Sequence, residues 1–212
     1  KKHNKHRIWS FVMARKKRGD DLHSTLIKFT KPEEMNGIGI LAIGQPETDD
    51  IWFYIPDLKR AKRIITPERS PSFLGSDFAY EDLEAEEMKD YDYERVGMGL
   101  VLDKVCFKIR ATPRSPKKMA ATAYGSRVLW IRKDNYFKMA EDYYDKKGAL
   151  LKTAFYAEPQ RMGRGKYKMI SVSMLNRRTG TTSILRVSPK TAKYEVPESM
   201  FTVEYLEEGI VY

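Results

Sequence analysis

Large apolar side chains recur at every second position through residues 8–14, where Trp9, Phe11 and Met13 share one side of the chain. That period of two is what a pleated strand with one buried face requires. The pattern then pauses at Gly19-Asp20, which reads as a hairpin tip, and resumes as a returning strand over residues 22–29. A turn-rich connection over residues 30–37 leads to an apolar run, 38–43, whose flanking Gly37, Gly39 and Gly44 permit tight curvature. Residues 51–55 form the next predicted strand, ended by Pro56-Asp57. The second half predicts a meander: an alternating strand over 104–110, then strands over 127–132, 136–144, 150–156, 167–175 and 181–187, joined by short polar turns. Helical signals are few. Ser76-Asp77 precedes a candidate helix over 78–88, and Pro197 opens another that runs to Glu208 ahead of Gly209.

Ten or more strands against one or two helices predict a mainly β fold built on one large antiparallel sheet, in a single domain spanning residues 1–212. A sheet of that size curls. A curled sheet with an apolar concave face either closes on its own side chains or holds a ligand.

The formal charge of +10 raises the possibility of nucleic-acid binding, but its distribution argues otherwise. Eight cations, Lys1, Lys2, Lys5, Arg7, Arg15, Lys16, Lys17 and Arg18, precede the first acid, so the rest of the chain carries an excess of only two. Residues 81–94 are strongly acidic, which a groove that tracks phosphates would not tolerate. No nucleic-acid partner is therefore expected, and a nucleic-acid-binding β-barrel ranks below the readings that follow.

Candidate chemistry is sparse. The single Cys106 excludes an intrachain disulfide and any multi-cysteine metal site. His3, His6 and His23 lack zinc-ligand spacing, and Ser76 lacks a histidine partner. The pairs Gly37-x-Gly39, Gly97-x-Gly99 and Gly163-x-Gly165 lack the remainder of any phosphate-binding motif. Asp92 and its acidic neighbours Asp90 and Glu94 would share a strand face and could in principle hold calcium, although such faces are ordinarily just solvated. No metal, cofactor or enzymatic activity is expected.

The most distinctive segment contains Trp52-Phe53-Tyr54-Ile55-Pro56, then Leu58-Lys59-Arg60-Ala61-Lys62-Arg63-Ile64, then Ser72-Phe73-Leu74-Gly75-Ser76-Asp77-Phe78-Ala79-Tyr80-Glu81-Asp82-Leu83. By residue type it is an aromatic strand, a basic connection and an aromatic loop entering an acidic helix. It resembles the bacterial outer-membrane lipoprotein-sorting protein family, relatives of the periplasmic carrier LolA, with Leu74 standing where that family more often has Met. The resemblance extends to the hairpins at 127–156 and 174–185. It implies an unclosed LolA-like half-barrel of about eleven strands with a few capping helices. It also implies a periplasmic location after loss of a signal peptide, and carriage of lipid or lipoprotein acyl chains with an inner-membrane transporter as partner. A helix ahead of the first strand belongs to the family pattern and is expected to be missing from this chain, which starts at Lys1-Lys2-His3.

Transferring an acyl chain of about fifteen carbons out of a bilayer costs on the order of 12 kcal/mol at about 0.8 kcal/mol per methylene. An apolar surface covering roughly 500 Å² of ligand offsets that at about 25 cal/mol per Å². Trp9, Phe11, Met13, Leu41, Ile43, Trp52 and Tyr54 are the expected concave lining, with Phe73, Phe78 and Tyr80 at its rim. A one-residue slip of register would move any of these sets to the opposite face. Lys59, Arg60, Lys62 and Arg63 are the expected contact for anionic headgroups or an acidic partner, in a monomer that touches membranes transiently. The competing reading is a non-carrier adaptor subunit of an envelope transporter.

Overall fold

The structure, a computed structural model, describes residues 8–19, 22–45, 50–64, 72–83, 88–157, 160–162, 166–168, 171–186 and 196–208. His3, His6 and the Gly163-x-Gly165 pair lie outside the described residues, as do the acids between residues 84 and 87. The chain forms two compact units, one of residues 1–65 and 192–212 and one of residues 66–191. Mostly β and antiparallel throughout, the described residues add two short helices, α1 (Pro116–Ala121) and α2 (Val203–Glu207).

In the first unit β1 (Ser10–Arg18), β2 (Leu22–Lys31), β3 (Gly39–Ile43), β4 (Asp50–Ile55) and β5 (Arg60–Ile64) pair in chain order. Their register aligns Ala14, Leu26, Leu41 and Trp52 in one cross-strand row, with Lys28, Gly39, Tyr54 and Ala61 in the next row of that face. Helix α2 lies across this face. Its Leu206, together with Phe201 just before it, is almost fully buried against Leu26, Leu41, Tyr54 and Ala61. Thr202 caps the helix by accepting from the Tyr205 N–H at 3.2 Å.

Two polar contacts pin α2 down. The buried Lys28 donates from Nζ to the Leu206 carbonyl at 2.6 Å, where the end of a helix leaves carbonyls unpaired. Burial holds this ammonium below the ordinary lysine range, with Glu208 acting in the opposite sense. The Glu207 carboxylate accepts from the Ala61 N–H at 2.7 Å.

In the second unit seven strands are β6 (Tyr91–Val101), β7 (Lys104–Pro113), β8 (Tyr124–Arg132), β9 (Lys138–Asp145), β10 (Leu150–Tyr156), β13 (Ser171–Asn176) and β14 (Thr182–Arg186). They lie in the order β14-β13-β10-β9-β8-β7-β6, and a separate ribbon pairs β11 (Gln160–Met162) with β12 (Lys166–Lys168).

Four local expectations change. No α-helix starts at residue 78; the described part of that stretch consists of 3-10 turns at Phe73–Gly75, Tyr80–Leu83 and Met88–Asp90. Ser76 spends its hydroxyl on the Phe73 carbonyl at 2.6 Å instead of capping a helix, and the Phe73 N–H donates to the Phe78 carbonyl at 2.6 Å. The predicted 197–208 helix splits into a 3-10 turn, Glu198–Met200, and α2, because Thr202 supplies a fresh cap between them. The basic connection after Leu58 is the strand β5, and the strand expected over 167–175 divides into β12 and β13 with different partners. Helix α1 was not foreseen, although Ser115-Pro116, a cap followed by proline in the first turn, is a start signal.

Leu206 should dominate the anchoring of α2. Leu206→Ala is expected to cost about 2–5 kcal/mol in urea unfolding, whereas Leu58→Ala, at a position 68% exposed, should change stability by less than about 0.5 kcal/mol.

Candidate functional site

The acidic motif loop owes its shape to bonds within the second unit. Asp77 accepts from the Thr181 and Ser183 hydroxyls of the β14 region at 2.7 and 2.8 Å. Glu81 accepts from the Thr122 hydroxyl at 2.7 Å and the Ala123 N–H at 3.1 Å. Asp82 takes the Tyr124 hydroxyl at 2.7 Å, the Ala79 N–H at 2.6 Å and the Lys152 ammonium at 2.5 Å. With side chains 1% and 10% exposed, Asp82 and Lys152 form a buried ion pair. The motif's acids thus hold a loop onto the sheet.

A second buried carboxylate, Glu141 on β9, accepts from Lys138 at 2.6 Å and the Tyr156 hydroxyl at 2.9 Å, and lies 3.3 Å from Arg127. Burial pushes Glu141 up, but Lys138 and Arg127 outweigh it and its carboxyl sits below the usual range. This face of the seven-stranded sheet is therefore rich in charge.

The opposite face is different. One cross-strand row runs Lys108, Trp130, Ala140, Phe155 over β7, β8, β9 and β10. Neighbouring strands lie about 4.8 Å apart, so a small side chain between two aromatic ones leaves a trough with Ala140 as its floor. Gly99 on β6 makes room for one wall, since a Cβ there would come within 2.8 Å of the Trp130 ring. Val101, Cys106, Met139 and Phe137 extend the apolar packing. The resulting cleft has a volume of about 260 Å³ and is bordered by Leu100 and Leu102, which are 65% and 78% exposed. Leu102 and Asp103 both adopt positive φ, +47° and +60°, at the tip of the β6–β7 hairpin. With Val101 paired to Lys104, this is the type I′ geometry that a two-residue hairpin favours.

One end of the trough is polar. Asp142, one row along from Ala140, accepts from the Trp130 indole N–H at 2.8 Å and from the Thr153 hydroxyl at 2.7 Å. Thr153 in turn accepts from Arg177 Nε at 3.0 Å. The Lys108 ammonium lies 4.3 Å above the centre of the Trp130 ring.

A family model described only as that of an uncharacterized protein matches residues 21–208. A comparison with curated proteins finds no match. Among solved structures, an outer membrane lipoprotein-sorting protein domain from Vibrio parahaemolyticus is 28% identical with a TM-score of 0.85, covering 94% of this chain and 83% of its own. A DUF1329 family protein from Desulfovibrio piger is 27% identical, also with a TM-score of 0.85, covering 93% and 83%. A LolA superfamily protein from Nitrosomonas europaea, 20% identical, shares the fold with a TM-score of 0.66, covering 93% and 90%.

The chain belongs to the matched family, and its fold is LolA-like.

Within this LolA-like fold the expected lining residues fall into separate groups. Leu41, Ile43, Trp52 and Tyr54 share the face that α2 covers, so the chain's own Phe201 and Leu206 fill the space that the pattern reserved for a ligand. Phe11 and Met13 point to the other face of the same sheet, in register with Phe29 and Ile27, and Trp9 packs edge-on to Phe29. The expectation of one shared lining is corrected by the register: every strand alternates its faces, and the two sets sit in opposite phase. Phe73, Phe78 and Tyr80 belong to the second unit; Phe73 and Phe78 are buried, and Phe73 meets Tyr80 edge-on at 5.2 Å.

The basic cluster also divides. Lys59 ends the turn before β5 with φ +47°, Arg60 and Lys62 share one face of that edge strand, and Arg63 takes the other and pairs with Asp50. Charges on an edge strand discourage pairing with another chain, which accounts for them without a ligand. Asp92 and Glu94, weighed as calcium ligands, lie near Arg114 at 2.8 Å and Arg110 at 3.9 Å respectively, and no three metal-binding side chains converge among the described residues.

The buried tyrosines make the second unit sensitive to base. Burial, then Asp82 and Glu81, push Tyr124 far above the usual range; burial also raises Tyr143, and burial with Glu141 lifts Tyr156 to about 12. Above pH 10 the unfolded chain releases these protons while the folded one keeps them, so their stabilisation is full below pH 10 and lost as pH rises, for Tyr156 up to about 12. The urea midpoint should fall steeply between pH 10 and pH 12, and Tyr124→Phe should flatten that decline even though it lowers stability at neutral pH.

Proposed function

We propose that this chain is a periplasmic carrier that shelters one acyl chain of a lipid or lipoprotein in the trough between Trp130 and Phe155. The observation that carries the reading is an apolar cleft, floored by Ala140, on a fold shared with a lipoprotein-sorting domain. The LolA-like fold supports the periplasmic part of this reading. No described helix is long and apolar enough to cross a membrane.

Size and energy set the scale of the cargo. The cleft falls just below the roughly 300–1,000 Å³ of drug-sized pockets, so it suits a single chain and not the several chains of a lipoprotein anchor at once. A methylene fills about the volume of a water molecule, roughly 30 Å³, and the space holds a segment of about eight. At about 0.8 kcal/mol each, their burial contributes about 6 kcal/mol, an affinity of tens of micromolar before any headgroup contact. Such an affinity suits a protein that must release what it takes up.

Filling the floor tests this directly. Ala140→Phe should abolish uptake of a fluorescent fatty-acid probe, and because overpacking can cost about 1–3 kcal/mol its fold is checked by urea unfolding. Leu102→Asp, at an exposed position, serves as a companion that leaves the core alone and should weaken uptake at least several-fold. Unchanged uptake by both folded variants would refute the trough as the binding site.

A further inference from the structure

Resting on the carrier reading, the polar end of the trough narrows the class of ligand. From it we infer that the trough takes an anionic single-chain amphiphile, with its acidic head on Arg177 and its tail between Trp130 and Phe155.

The guanidinium is held in place and only partly used. The Arg177 backbone N–H donates to the Leu151 carbonyl at 2.9 Å, and Nε donates to the Thr153 hydroxyl at 3.0 Å. No carboxylate pairs with Arg177 among the described residues, and Arg177 lines the cleft with a planar guanidinium, the group whose geometry matches a carboxylate or phosphate. Asp142 is the one acid lining the trough, and both its oxygens are already engaged, one by Trp130 and one by Thr153. Its charge fixes the walls and balances part of the guanidinium.

On the far wall Lys108 adds a second cation above Trp130, and Arg110, one row further along β7, lies 3.9 Å from Glu94. Cations therefore outnumber acids around the polar end, while the opposite end opens onto the exposed Leu100 and Leu102. A ligand that matches both ends is acidic at one and aliphatic at the other. A neutral lipid would leave the guanidinium unanswered, and a two-chain lipid would exceed the volume.

Calorimetry at pH 8 with decanoate, n-decyl phosphate and 1-decanol tests the assignment. At least one acid should bind about tenfold or more tightly than the alcohol, and the order of the two acids tells a fatty carboxylate from a lipid phosphate. Arg177→Gln should bring the acids down to the affinity that the same variant shows for decanol, and Arg177→Lys should retain part of the preference. Equal affinity for acid and alcohol, or a preference that survives in Arg177→Gln, would overturn the headgroup site while leaving the carrier reading intact. Failure of all three probes to bind would overturn both.

Discussion

A buried carboxylate must have its oxygens satisfied, and in the seven-stranded sheet Asp142 meets that demand with donors on both adjacent strands. The constraint reaches further than stability. By accepting from the Trp130 indole, Asp142 fixes the plane of one wall of the trough; by accepting from Thr153, it sets the hydroxyl that orients Arg177. The apolar gap over Ala140 and the cation at its end thus depend on one acid. Removing the carboxylate would leave the Trp130 indole N–H and the Thr153 hydroxyl without their shared acceptor.

The two faces of this sheet divide the labour. One carries the ion pair of Asp82 with Lys152, which holds the motif loop, and that of Glu141 with Lys138 and Arg127; each costs heavily if broken singly. The other carries aromatic walls and the exposed Leu100 and Leu102 at and beside a tight hairpin tip. Charge in the first place and hydrocarbon in the second are consistent with a loop that must stay put and a cleft that must exchange its contents. In the first unit the apolar face is closed by the chain itself, through Phe201 and Leu206.

Much of the fold could be read from alternation alone. The period of two in residues 8–14, the glycines around 38–43 and the polar turns of the second half all sit where strands and hairpins occur. The motif segment identified the fold family but not its chemistry, because Asp77, Glu81 and Asp82 serve distant partners such as Ser183, Thr122 and Lys152 that no local spacing discloses. The trough is hidden for a related reason: Trp130, Ala140 and Phe155 lie on three successive strands and meet only through register. Trp130 did carry a signal, as the sole tryptophan of the second half, inside a predicted strand. What alternation could not reveal was that Leu41 and Tyr54 would be covered by a segment 150 residues later in the chain, roughly the distance to α2.

The central claim is that hydrocarbon lies between Trp130 and Phe155, and a crystal structure with a terminally brominated fatty acid tests it most directly. The account predicts an anomalous bromine peak within the trough above Ala140 or beside Leu100. A peak confined to the first unit beneath α2, or bromine bound only on the charged face near Glu141, would contradict it.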